Sequence, residues 1–203
     1  MSTSNATLTA IVGPMFAGKT EELMRLIKRA LIAEKRVLVI KSQVDKRSEH
    51  AIVTRGPDRN NPGSFVIVDE YPAHVVNDGR TFRKLIAQYN PHIIAIDEAQ
   101  FFGPWLVTSI NKLLEERKGS DFQIITVGLD MDYRRKPFPR VATLLALADE
   151  VVKVTALCFV CKKPALFTQK NTVSTQRIEA DAGTSSKMYE ARCRACHVIP
   201  HAK

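Results

Sequence analysis

Short apolar runs alternate with longer amphipathic stretches through most of the chain. Leu8-Thr9-Ala10-Ile11-Val12 and Val37-Leu38-Val39-Ile40 are brief, rich in β-branched residues and bounded by polar ones, which predicts buried strands of a parallel sheet. Between them Leu23, Leu26, Ile27, Ala30 and Leu31 recur at helical spacing, with Lys28, Arg29, Glu34 and Lys35 on the solvent side. Residues 21–33 are therefore predicted helical. Phe65-Val66-Ile67-Val68, the run from His92 to Ile96, the run from Gln123 to Leu129, and residues 151–155 read as further strands. Residues 79–89, 105–118 and 141–149 read as helices, the first stopped by Asn90-Pro91 and the second by Gly119. The periodicity dissolves over residues 41–63, which read as a long loop with room for one small strand at Ile52-Val53-Thr54. Repeated strand and helix units predict an α/β fold, a doubly wound, mostly parallel sheet.

At Leu157 the character changes. Cys158-Phe159-Val160-Cys161 and Cys193-Arg194-Ala195-Cys196 are two C-x-x-C pairs, and they hold every cysteine of the chain. Paired thiolates at this spacing point to a tetrahedral zinc site with Cys158, Cys161, Cys193 and Cys196 as ligands. Four thiolates close the coordination shell, which suits a structural ion. His197 and His201 then read as surface residues rather than ligands. The intervening residues 162–192 are rich in Thr, Ser, Lys and Ala, too polar to pack a core, so the metal would compensate for missing burial. They are expected to fold as a lid over a second substrate. The chain divides on this reading into residues 1–156 and a small zinc unit of residues 157–203.

The first strand leads into Gly13-Pro14-Met15-Phe16-Ala17-Gly18-Lys19-Thr20, a full match to the phosphate-binding loop G-x-x-x-x-G-K-[ST]. Its glycines let successive N–H groups point at a phosphate. Lys19 would reach the outer phosphates, the Thr20 hydroxyl would ligate magnesium, and the following helix adds its positive end. The strand before Asp97-Glu98 is the usual companion of such a loop. Asp97 is the candidate for the metal shell. Glu98 is read either as a proton acceptor beside the phosphates or as a solvated acid at a strand end. For the basic segment 130–137, a solvated face ranks ahead of a nucleic-acid patch or a phosphate clamp.

Composition narrows this little. The 203 residues are 45% hydrophobic and 25% charged, ordinary for a soluble globular protein, and the net charge of +9 favours an anionic partner without naming it. Residues 1–5 are polar without a basic cluster, and no stretch approaches a spanning helix, so an intracellular protein is expected, in which structural disulfides are rare. Asp97-Glu98-Ala99-Gln100 is similar to the box of DEAD-like helicases, but a helicase needs two such ATPase domains. A non-enzymatic zinc-ribbon nucleic-acid binder would leave the phosphate loop idle.

Taken together, the chain closely resembles the type II thymidine kinases, the group typified by the human cytosolic, bacterial and poxviral enzymes. The resemblance runs from Leu8 to Cys196. It is carried by the phosphate loop with Glu21-Glu22-Leu23, by Asp97-Glu98-Ala99-Gln100-Phe101-Phe102, by Leu129-Asp130 with Arg135-Lys136-Pro137-Phe138, and by Tyr189 before Cys193.

This resemblance implies transfer of the γ-phosphate of ATP to the 5′-hydroxyl of thymidine or deoxyuridine, with Glu98 as proton acceptor. It implies ATP and Mg2+ as cofactors, a structural Zn2+, a cytoplasmic homotetramer, feedback inhibition by the end-product triphosphate, and no membrane or direct nucleic-acid partner. Asp45, Lys46 and Arg47 match the segment at the nucleotide phosphates, and Asp97 and Gln100 fall on the same side. Phe101 and Tyr133 match aromatic positions at the nucleoside, while Met15, Leu129 and Thr168 fall where the family surrounds the thymine methyl. The lasso of the family holds the pyrimidine through its main chain, which maps onto Ile178, Glu179, Ala180, Asp181 and Ala182, with Tyr189 its aromatic member. Two departures stand out: Tyr133 replaces a common Phe, and Glu179-Ala180-Asp181-Ala182-Gly183 lacks the usual Gly-Gly pair.

Overall fold

The computed structural model describes residues 5–45, 48–57, 65–172 and 188–199. Strand β1 (Thr7–Val12) leads into helix α1 (Lys19–Ile32), followed by β2 (Val37–Lys41). A hairpin of β3 (Ala51–Pro57) and β4 (Phe65–Pro72) precedes the short β5 (His74–Val75), helix α2 (Gly79–Tyr89) and β6 (Ile93–Ile96). Helix α3 (Trp105–Glu116), β7 (Gln123–Gly128), α4 (Pro139–Leu147) and β8 (Glu150–Lys153) come next. The chain then enters four short strands, β9 (Ala156–Leu157), β10 (Pro164–Ala165), β11 (Phe167–Lys170) and β12 (Tyr189–Arg192), paired as β9–β10 and β11–β12.

The main sheet has the order β5-β2-β6-β7-β1-β8, and every neighbouring pair is parallel. The α/β reading of the sequence is met. Successive side chains point to opposite faces, so each apolar strand feeds two cores. Leu8, Leu38, Ile40, Ile94, Ile96 and Ile124 pack with Phe82 and Ile86 of α2, Leu106 and Ile110 of α3, and Leu144 of α4. On the other face Ile11, Val39, Ala95, Ile125 and Val127 pack with Leu23, Met24 and Ile27 of α1. Parallel strands put all their C-terminal ends on one edge, and β7 lies between β6 and β1. The loops that follow these three strands are thereby neighbours, the usual place for a site in such a sheet.

Helix α2 has the predicted bounds, and its ends show why. Asp78 accepts hydrogen bonds from the amides of Arg80 and Thr81, both at 2.8 Å, and Asn90 closes the helix in a left-handed conformation at φ 39°. The region 41–63 departs from expectation. Instead of a loop holding a three-residue strand, β3 runs from Ala51 to Pro57 and pairs antiparallel with β4 through a register shift at Thr54/Arg55. Pairing with the next strand outweighs the Gly and Pro signals of the local sequence. Among the described residues no helix is long and apolar enough to cross a membrane.

Candidate active site

Gly13 follows β1 at a point with no room for a side chain, since a Cβ there would stand 2.4 Å from the Val154 carbonyl oxygen. The chain turns through Pro14, Met15, Phe16 and Ala17, with Phe16 itself left-handed at φ 64°. It enters α1 after Gly18, whose carbonyl accepts from the Glu22 amide at 3.0 Å. Lys19 arches back over the loop and its Nζ donates to the Pro14 carbonyl at 2.7 Å, and Thr20 beside it is also buried. Ala17 packs among Ala156, Cys158, Ala165 and Ala191, while Met15 packs against the core beneath α3 and α4. The phosphate loop is thus gripped by the sheet on one side and by the cysteine unit on the other.

Two strands away, β6 delivers Asp97 and Glu98 to the same edge. Asp97 is fully buried and its Oδ1 accepts from the Glu98 amide at 3.0 Å. Glu98 is left-handed at φ 52° and ψ 49°, and its carbonyl accepts from the Phe101 amide at 3.0 Å. Non-glycine residues hold that conformation only where their surroundings enforce it, and such residues cluster at functional sites. Gln100 braces the side chain of Glu98: its Nε2 donates to Glu98 Oε2, and its Oε1 accepts from the Leu129 amide at 3.0 Å. Phe101 is half-buried beside them.

Met15, Leu129, Tyr133, Thr168 and Tyr189 line one small cavity, as the resemblance groups them, together with Met131 and Asp132. Those last two were missed, although they sit between Leu129 and Tyr133. Asp132 Oδ1 accepts from the amides of Arg134 and Lys136, both at 2.9 Å, and folds the segment tightly. Tyr133 receives a hydrogen bond on its hydroxyl from Arg134 Nε at 2.8 Å. The 130–137 segment is therefore not simply a solvated face: Asp130, Asp132 and Tyr133 are buried, and Lys136 and Pro137 are exposed. Lys170 was also missed. It is buried, with its ammonium 5.2 Å from the Tyr133 ring centre and 5.9 Å from that of Tyr189, within cation–π range.

Asp45 is buried and lies 3.2 Å from Nζ of Lys41, which also donates to the carbonyls of Ser48 and Ala51. In sequence Lys41 looks like a mere strand boundary, yet it has no exposed surface at all. Lys46, Arg47, Ile178, Glu179, Ala180, Asp181, Ala182 and His201 lie outside the described residues.

The four cysteines converge. The sulfurs of Cys158, Cys161, Cys193 and Cys196 lie within 4.8 Å of one another, and those of Cys161 and Cys193 are 3.5 Å apart. Thiolates about 2.3 Å from a tetrahedral zinc stand about 3.8 Å from each other, so the donor set fits that ion. The thiols share protons unequally. Burial acts to raise Cys158, but hydrogen bonds from the amides of Cys161, Cys193 and Val160 outweigh it and bring the thiol down to about 6. Cys196, by contrast, is pushed up to about 12 by hydrogen bonds with the thiols of Cys193 and Cys161.

His197 is not on the surface, contrary to the expectation from the sequence. It is buried, with Nε2 3.2 Å from the Thr168 carbonyl and Nδ1 accepting from Arg135 Nε at 3.1 Å. The Arg135 guanidinium also stacks 4.4 Å over Phe167 and donates to the His197 carbonyl. The reason is the β11 ladder, which brings a distant carbonyl to a ring that spacing alone leaves without a partner.

The sequence matches the family described as Thymidine kinase over residues 6–197. A protein of Deinococcus deserti named Thymidine kinase is 38% identical over 202 residues, covering 97% of this chain and 96% of its own. One of Mesomycoplasma hyopneumoniae with the same name is 37% identical over 194 residues, covering 95% of each. Among solved structures, domain III of the Thermotoga maritima replication initiation protein DnaA covers 73% of this chain and 55% of its own, at 15% identity and a TM-score of 0.40, a likeness too slight to bear on function. Phosphate loop, acidic strand end and cysteine tetrad all fall within the matched residues, and the chain belongs to the thymidine kinase family.

Proposed function

We propose that Glu98 orients and deprotonates the 5′-hydroxyl of thymidine in the reaction of this family, phosphoryl transfer from ATP to the nucleoside to give dTMP. The chain is an ATP-dependent nucleoside kinase by family. One observation carries the assignment of roles: the phosphate loop after β1 and the Asp97-Glu98 pair after β6 flank the end of β7 on one sheet edge. A primary alcohol is a weak nucleophile, and phosphoryl transfer depends mainly on positioning and charge stabilisation. A carboxylate on the hydroxyl aligns it in line and collects its proton.

Gly13, Pro14, Met15, Phe16, Ala17, Gly18, Lys19 and Thr20 would cradle the triphosphate, with Asp45, Lys46 and Arg47 beside it. Thr20 and Asp97 would hold a magnesium ion, which when bound neutralises charge on the β- and γ-phosphates. On the acceptor side Phe101, Leu129, Tyr133, Thr168 and Tyr189 would enclose the nucleoside, and Ile178, Glu179, Ala180, Asp181 and Ala182 are assigned to it by resemblance. The cysteine tetrad would hold zinc, which would tie the lasso to a kinase unit of residues 1–156. Thiols gathered as metal ligands rather than disulfides suit a reducing compartment, the cytoplasm. Exposed Ile32 on α1 and Val66, Ile67 and Val68 on β4 are apolar surface of the kind that contacts between copies cover, in keeping with a homotetramer.

Glu98→Gln is the test. The variant should bind ATP normally and turn over thymidine slower by ~10²-fold or more. Undiminished turnover would remove Glu98 as the base.

A further inference from the structure

A primary amide has one accepting and one donating end, and the fold decides which way that of Gln100 faces. The Leu129 amide donates to Oε1 at 3.0 Å, so the NH2 end is left to the Glu98 carboxylate, which accepts on Oε2. Space is reserved for this arrangement. A Cβ on Gly128 would lie 2.7 Å from Gln100 Oε1, so the amide would have to shift, and a tight 3.3 Å from the Ala99 amide nitrogen. Gln100 is itself buried, so the bridge is shielded from competing water.

From this geometry we infer that Gln100 is a positioning residue for the proton acceptor. Its amide ties the Glu98 carboxylate to the main chain at the end of β7, and residue 128 is glycine to admit it. The inference rests on the reading of Glu98 as the base. It gives Gln100 a role distinct from contact with the nucleotide. The carboxylate sits on a left-handed backbone at φ 52°, and a side chain of that length has several rotamers open to it. One oxygen anchored to a rigid parallel strand fixes the plane of the carboxylate before substrate arrives. Leu129, anchored by the same amide, lines the acceptor cavity, so base and cavity wall are set by one group.

Gln100→Glu separates the two hydrogen bonds. It keeps an acceptor for the Leu129 amide but sets a carboxylate against Glu98. Facing carboxylates repel or share a proton, and either withdraws Glu98 from the hydroxyl. Steady-state kinetics with ATP and thymidine should show kcat lowered by ~10- to 100-fold and KM for ATP within ~2-fold of the parent. Gly128→Ala, which displaces the amide without changing its chemistry, should lower kcat in the same way. Combined with Glu98→Gln, the Gln100→Glu change should cost no more than a further ~2-fold, because the two residues act as one unit.

Parental kcat in Gln100→Glu overturns the inference, as does a loss confined to KM for ATP or a full multiplicative loss in the double variant. If Glu98→Gln itself turns over normally, the base assignment falls and this inference with it. A slow Glu98→Gln beside a fast Gln100→Glu removes the inference alone. Should Gly128→Ala fail to fold, Gln100→Glu, which preserves volume, decides.

Discussion

The Thr168 hydroxyl accepts a hydrogen bond from the Met15 amide at 3.1 Å, joining β11 to the phosphate loop across most of the chain. The carbonyl of the same residue meets the buried His197 ring at 3.2 Å. One residue thus touches the phosphate loop, the small cavity beside it and the segment just after the last cysteine.

Thr168→Val keeps the shape and removes the acceptor. The part-buried Met15 N–H then loses its partner, at a cost of about 1–3 kcal/mol. Thermal unfolding should show a lowered Tm, and KM for thymidine should rise roughly tenfold. Thr168→Ser should restore the bond and most of the affinity. If the valine variant matches the parent in both, the hydroxyl does not couple the two sites.

Metal removal should act at a distance from chemistry. Cys158→Ser breaks a donor set whose sulfurs lie within 4.8 Å of each other. Elemental analysis should find zinc in the parent and little in the variant, with thymidine affinity falling alongside. Full nucleoside affinity in a zinc-free variant would show that the metal does not hold the acceptor side together.

Gly13→Ala should disable the donor side. Its Cβ would stand 2.4 Å from the Val154 carbonyl oxygen, a backbone atom that cannot swing aside. Loop or β8 junction must move, at about 1–3 kcal/mol, so the dissociation constant for ATP should rise roughly tenfold. Calorimetric titration checks this, and unchanged ATP binding would mean the loop tolerates the displacement.

Asp78 makes stability depend on acid. Hydrogen bonds, chiefly from the Thr81 amide, hold its carboxyl below the ordinary 3.8. A depressed native value means the unfolded chain takes up the proton first as pH falls. The cap therefore stabilises fully above the ordinary value and is lost as pH drops through the lowered one. Asp78→Ala should lower Tm at neutral pH, and the gap from the parent should close in that acid window. A gap that persists at low pH would mean the carboxylate form is not what caps α2.

Much of the design is local and therefore legible. The phosphate loop, the acidic strand end and the C-x-x-C pairs are contiguous, because each must present several groups within a few residues of backbone. Helix α2 was legible to the residue, since an amphipathic run is closed by Asn90-Pro91, and the structure adds the Asp78 cap at its start. The β3–β4 ladder was not, because its register depends on a partner strand and not on the Gly and Pro residues near its turn.

The sequence by itself determined the fold class, the family, the phosphate-loop motif and the pairing of the four cysteines, since these rest on residue type and short spacing. Tertiary structure alone decided what depends on contacts between distant segments. Gln100 reaches Leu129 only because β7 runs beside β6, and His197 is buried only because β11 lies against it. Lys41 and Asp45 become a buried pair only where β3 supplies a carbonyl to the same ammonium. Hydrogen bonds of this kind cost little in sequence signal, because any polar side chain of suitable length looks alike until a partner is brought within about 3 Å of it.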